Sequence, residues 1–100
     1  MSHLRALLLT DVVDSTKLSL RIGDAEMARL WEAHDRAARD ILPVWHGREI
    51  DKTDGMLLLF DSASDAVGYA LAYQRALDKL VPPLRARAGL HVGSDRKSVV

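Results

Sequence analysis

The order of elements in this sequence predicts an α+β fold, strand, helix, strand, strand, helix, strand. This is the ferredoxin-like βαββαβ arrangement, a four-stranded antiparallel sheet with both helices on one face. Three observations carry that expectation. An apolar run, Ala6 to Leu9, drives into Thr10-Asp11 and then a Ser/Thr turn; two longer stretches place apolar residues at three- and four-residue steps; and Thr53-Asp54-Gly55 separates two short strand-like runs.

The first strand runs from about Arg5 to Val13, and its continuous apolar character suits a strand covered on both faces. After the Asp14-Ser15-Thr16 turn, Lys17 to Ile22 forms a short helical turn ended by Gly23. A long helix follows, with Asp24 as its cap. Met27, Leu30, Trp31, His34, Ala38, Ile41, Leu42 and Trp45 draw one apolar stripe, on which His34 reads as a core or rim histidine rather than a ligand. Pro43 bends or ends the last turn, and His46-Gly47 closes it. Arg48 to Lys52 and Met56 to Phe60 form a hairpin, the second strand apolar throughout and therefore central. Ser62-Ala63-Ser64-Asp65 opens the second helix, in which Gly68 is a weak point. Val81-Pro82-Pro83 stops that helix. Leu84, Ala86, Ala88, Leu90 and Val92 then alternate with Arg85, Arg87, Gly89 and His91, as in a half-buried strand with its arginines on the solvated side.

One hundred residues, nearly half of them hydrophobic, suffice for one small core. Lys plus Arg and Asp plus Glu balance at 14 each, which argues against nucleic acid as a partner and against a membrane surface. Without cysteine there is neither a disulfide framework nor a thiolate metal site, and no apolar run approaches membrane-spanning length; a cytoplasmic setting is expected.

Topology turns this order into chemistry. A right-handed crossover makes the first two strands parallel, and the hairpin partner slots between them. The end of the first strand then lies beside the start of the third, about 5 Å away. Asp11 ends one and Asp54 begins the other, so two carboxylates distant in sequence meet at one sheet edge. Paired carboxylates share a proton, act as acid and base, or bind hard divalent cations. The Val12 to Thr16 turn beside Asp11 leads into a helix N-terminus whose N–H groups suit phosphate oxygens, and no histidine stands nearby in sequence, which favours a two-metal phosphoryl-transfer site. Residue types and topology also admit a purely structural reading, in which Asp11 or Asp14 caps the helix and Asp54 fills its Asp-Gly turn.

At these residues the chain resembles the N-terminal part of a class III adenylate/guanylate cyclase catalytic domain. Leu9-Thr10-Asp11-Val12-Val13-Asp14-Ser15-Thr16 resembles the family opening F-T-D-I-V-G-S-T. Gly47-Arg48-Glu49-Ile50 and Asp54-Gly55-Met56-Leu57-Leu58-Leu59-Phe60 resemble its G-R-E-V and G-D-G-F-L-A-V-F hairpin, and Ala88-Gly89-Leu90-His91-Val92-Gly93 resembles I-G-V-H-T-G. The resemblance implies two ions, Mg²⁺ or Mn²⁺, on Asp11, Asp54 and the carbonyl of Val12, with the nucleotide phosphates at Val13, Asp14, Ser15 and Thr16. It also implies conversion of ATP or GTP to a cyclic 3′,5′-monophosphate and pyrophosphate, in active sites built across a homodimer.

The match has departures. Asp14 stands where the family has Gly, Thr53 replaces the Gly before Asp54, and the hairpin is a residue short. The place of the family's base-selecting Lys is Ile50, and the lysine nearby is Lys52. The family's transition-state Asn and Arg are expected beyond Gly93, so residues 1–94 read as a partial catalytic domain, inactive by itself and with no assignable catalytic residue. Residues 95–100, Asp95-Arg96-Lys97-Ser98-Val99-Val100, match the translation of a common sequencing-library adapter and read as a non-native tail. A non-catalytic cyclase relative serving dimerisation or sensing is the alternative. Another ferredoxin-like palm, such as a diguanylate cyclase, is disfavoured by the lack of a Gly-Gly-Asp/Glu-Glu-Phe hairpin.

Overall fold

The computed structural model describes residues 4–52 and 55–94. Strand β1 (Leu4–Val12) is followed by α1 (Ser15–Ile22), α2 (Asp24–Ile41), a 3₁₀ turn (Pro43–Trp45), β2 (Gly47–Lys52), β3 (Met56–Phe60), α3 (Ala63–Asp78) and β4 (Ala86–Ser94). The sheet order is β2-β3-β1-β4 and each neighbouring pair is antiparallel, which is the expected α+β, ferredoxin-like topology. In register, Thr10 near the end of β1 faces Met56 at the start of β3.

Leucine-rich β1 has no strong intrinsic strand preference; pairing on both edges and burial of one face make it a strand. Ala6, Leu8, Thr10 and Val12 alternate inward, at 9% exposure or less. Against them pack Met27, Leu30, His34 and Ala38 of α2 and Ala66, Tyr69, Tyr73 and Leu77 of α3, two sets with the same 3-4-4 spacing. The other face is open, contrary to the two-sided cover expected for β1. Leu9 is 59% exposed there, and Leu7, Leu57 and Leu59 are half-buried, shielding one another across β1 and β3.

Several local expectations shift. Asp24 does not cap α2: Gly23, at φ 88°, occupies the cap position, and Asp24 and Glu26 lie in the first turn, where the helix dipole favours acids. Gly68 marks a close approach instead of a weakness, because a Cβ there would fall 2.3 Å from the ring of Trp45. Ser62 does cap α3, its hydroxyl accepting from the Asp65 N–H at 3.1 Å. Leu84, just before β4, is buried and Ala86 at its start half-buried, but Leu90 and Val92 are 44% and 43% exposed. The alternation predicted cover for them, yet α3 is tied to β4 at its start, where the Gln74 amide donates to the Leu84 carbonyl and accepts from the Ala86 N–H. Among the described residues, no helix covers the far half of that strand.

Candidate functional site

The strand ends assemble much as topology requires. Gly55 lies against the end of β1 so closely that a Cβ on it would stand 2.1 Å from the Thr10 carbonyl oxygen. Asp54, the residue before it, and Thr53 are outside the described residues. Asp11 follows Thr10 on β1, and its half-exposed carboxylate accepts a hydrogen bond from Nη2 of Arg87 on β4, at 2.7 Å. The chain then turns: the Val13 N–H donates to the Arg85 carbonyl at 2.8 Å, and Asp14 adopts the left-handed conformation (φ 57°, ψ 27°). Its carbonyl accepts from the Leu18 N–H to start α1, while its side chain makes no cap hydrogen bond. Neither Asp11 nor Asp14 is therefore a side-chain cap.

A cavity of about 430 Å³ opens from this turn. It is lined by Asp11, Val12, Ser15 and Thr16 together with Trp31, His34 and Asp35 of α2, Lys52 of β2 and Tyr73 of α3. His34 and Tyr73 are buried. A chain of hydrogen bonds runs along the inner wall. The Thr10 hydroxyl meets the Tyr73 phenol. That phenol lies 2.6 Å from His34 Nε2, and His34 Nδ1 lies 3.0 Å from Asp35 Oδ1. Lys52 Nζ donates to Asp35 Oδ2 at 3.2 Å. An ionised Asp35 only accepts, so the chain closes when Nδ1 of a neutral His34 holds the proton and Tyr73 donates to Nε2. Burial works to raise the Asp35 carboxyl, but the bonds from His34 and Lys52 and the Lys52 charge outweigh it, and the net shift is downward. Burial pushes the Tyr73 phenol up to about 12, against the Thr10 bond. Among the described residues no buried side-chain polar atom lacks a partner.

The Asp11 carboxylate and the Val12 carbonyl, expected to hold metal, both offer oxygen, a chemistry that suits Mg²⁺ or Mn²⁺ better than a softer ion. Among the described residues no group of three or more His, Cys, Asp or Glu side chains converges on a metal position. On the open face of the sheet a second, shallower cavity is lined by Leu9, Asp11, Gly55, Arg87 and Gly89, so Asp11 borders both.

No protein-family profile and no curated protein sequence matches the chain. Solved structures do. The adenylyl cyclase CyaB from P. aeruginosa superposes with a TM-score of 0.79 over 94% of this chain at 16% identity. The guanylyl cyclase Cya2 gives 0.78 over 94% at 19% identity. The chain has the fold of a nucleotide cyclase catalytic domain. It spans 58% and 56% of those two chains. The guanylate cyclase domain of RhGC from Catenaria anguillulae, solved in complex with GTP, gives a TM-score of 0.67 at 18% identity, over 92% of this chain and 57% of that one.

Set beside the cyclase motifs, one departure acquires a physical reason. The glycine of the opening motif corresponds to Asp14, a left-handed position where glycine is strain-free and Asp is among the more tolerated alternatives. In β2 a bulge resets the register of the hairpin: Glu49 faces Leu58 and Asp51 faces Leu57, leaving Ile50 unpaired and half-exposed while Lys52 reaches the cavity. Two neighbours of the site were missed by sequence reasoning. His34 stands 23 residues from Asp11 in the chain, but a buried histidine needs polar partners, and the adjacent Asp35 was one signal. Arg87 lies on a solvated edge as expected, its side chain 75% exposed; what sequence reasoning missed is its direct register with Asp11, which makes the two an ion pair.

Proposed function

We propose that the chain carries the metal- and triphosphate-binding part of a nucleotide cyclase active site, acting on ATP or GTP in intracellular signalling. The observation that supports it most is the position of the Asp11 carboxylate. It stands at a strand end, beside Gly55, at the mouth of a cavity that continues past the first turn of α1. Asp11, the Val12 carbonyl and Asp54 would hold two Mg²⁺ or Mn²⁺ ions. Bound there, the ions would offset triphosphate charge and activate the ribose 3′-hydroxyl for attack on the α-phosphorus, with pyrophosphate leaving. The Val13, Asp14, Ser15 and Thr16 turn would face the phosphates with its backbone N–H groups. Lys52, held by Asp35, is the candidate for base contact.

Residues 1–94 would be the first part of the domain, in the cytoplasm, with the active site completed by following elements and a second copy; residues 95–100 would be a foreign tail. The genomic reading frame tests that division, since a frame that continues past Gly93 with residues 95–100 in place would reject it. For the site itself, Mn²⁺ binding followed by electron paramagnetic resonance is expected to weaken at least about tenfold in Asp11→Ala. Equal affinity in the two proteins would defeat the metal assignment. Asp14, an exposed anion in the phosphate turn, favours the second reading, a non-catalytic dimerisation or sensory domain. Cyclic nucleotide turnover by the full-length protein would reject that one.

A further inference from the structure

Every hydrogen bond in the chain from Thr10 through Tyr73 and His34 to Asp35 has its sense fixed by the last member. The ionised Asp35 only accepts, from His34 Nδ1 at 3.0 Å and from Lys52 Nζ at 3.2 Å. Neutral His34 therefore carries its proton on Nδ1 and accepts at Nε2, so the Tyr73 phenol, 2.6 Å away, donates to it. The phenol has a single proton, already committed to His34, and the Thr10 hydroxyl must in turn donate to Tyr73. Thr10 is left with a hydroxyl oxygen that has no further proton to offer and can only accept.

Thr10 is 4% exposed, and it lines both cavities, as does Asp11 next to it. Successive side chains of a strand point to opposite faces, so the hydroxyl and the carboxylate flank the end of β1 from its two sides. A ligand drawn to that strand end meets an acceptor at Thr10 and must bring a donor of its own. Ionised phosphates have no proton to give. The ribose 3′-hydroxyl does, and as the nucleophile of the proposed reaction it has to come to the end of β1. We propose that the Thr10 hydroxyl accepts a hydrogen bond from the ribose 3′-hydroxyl of the bound nucleotide, with Tyr73, His34 and Asp35 as the positioning residues that keep it an acceptor. The inference rests on the nucleotide reading given above. A 3′-hydroxyl whose proton points at Thr10 keeps its oxygen lone pairs free for attack on the α-phosphorus.

Two measurements on the full chain test it. Long-range ¹H–¹⁵N NMR should show His34 as the Nδ1–H tautomer. In Asp35→Asn, Lys52 Nζ holds the amide oxygen and the amide NH₂ faces His34, so the tautomer should change to Nε2–H and the chain should reverse. An Nε2–H tautomer in the native protein, or no change in Asp35→Asn, would overturn the positioning role. The second measurement is the affinity, with MnCl₂ present, for ATP and GTP against their 3′-deoxy and 3′-deoxy-3′-fluoro analogues. The native protein should bind both analogues about fivefold more weakly than the parent nucleotide, the fluoro one included because fluorine cannot donate. Thr10→Val should bind parent and analogues equally, and Thr10→Ser should keep the preference; amide NMR spectra check that each variant folds. If ATP or GTP binds but its analogues bind as tightly, or Thr10→Val keeps the preference, the contact is wrong and the nucleotide reading stands. If neither ATP nor GTP binds, the nucleotide reading falls and the contact with it.

Discussion

The Tyr73 hydroxyl lies 2.6 Å from Nε2 of His34, joining α3 to α2 above the inner face of the sheet. Through Thr10 at one end and Asp35 and Lys52 at the other, that bond connects the ends of β1 and β2. The two strand ends that flank the cavity are therefore set by one polar chain, not by apolar packing alone.

Removing the central hydroxyl tests how much the chain contributes. Tyr73→Phe keeps the ring, which stacks on Tyr69 and meets His34 edge-on. It leaves Nε2 of His34 and the Thr10 hydroxyl without their partner, so urea unfolding should show a loss of about 1–3 kcal/mol. A change within experimental error would mean that water takes the place of the hydroxyl.

Tyr69 and Tyr73 are the only two tyrosines, and both are buried. Burial raises both phenols, Tyr73 to about 12, and Tyr69 also donates to the Ala38 carbonyl at 3.0 Å. A folded-state value above the unfolded one stabilises the protein below the unfolded value, and that stability is lost as pH rises through the folded value. Tyrosinate absorbance of the native protein should thus stay flat through about pH 10, where the urea-unfolded chain is half-ionised. Coincident native and unfolded curves would contradict the burial.

Asp35 works at the opposite end of the pH scale. Its carboxyl is lowered from its ordinary 3.8, so its stabilising contribution is complete above that value and disappears as pH falls through the lower folded value. Urea midpoints measured from about pH 6 down to about pH 3 should fall more steeply for the native sequence than for Asp35→Asn. Because its side chain is 27% exposed, solvent screening keeps the difference modest.

Gly55 sets the approach of the hairpin to β1. In Gly55→Ala the new Cβ would collide with the Thr10 carbonyl, which is backbone and cannot rotate away. The strands must part locally, at a cost of about 1–3 kcal/mol. Thermal unfolding should register the loss, and Mn²⁺ affinity should fall with it even though no donor atom has been removed.

How much of this was legible beforehand follows from the range of each signal. The stripes on α2 and α3 were readable because side chains repeat with the helix, and the strand order followed from connection length and handedness. Those two regularities brought β3 to the end of β1 and singled out Asp11. The value of Asp14 was readable only as a departure from a motif; its left-handed backbone explains why glycine suits that place. Gly68 looked like a flaw in a helix because nothing near it in sequence announces the ring of Trp45.

By itself, then, the sequence determined the elements, their order and which carboxylate ends the central strand, since each depends on periodicity or short-range turn chemistry. Tertiary structure alone decided that Asp11 meets Arg87, 76 residues away, and that Tyr73 meets His34, 39 residues away. Strand register and helix packing fix those partners, and both are settled by the burial of the whole inner face, to which no single stretch of chain holds the key.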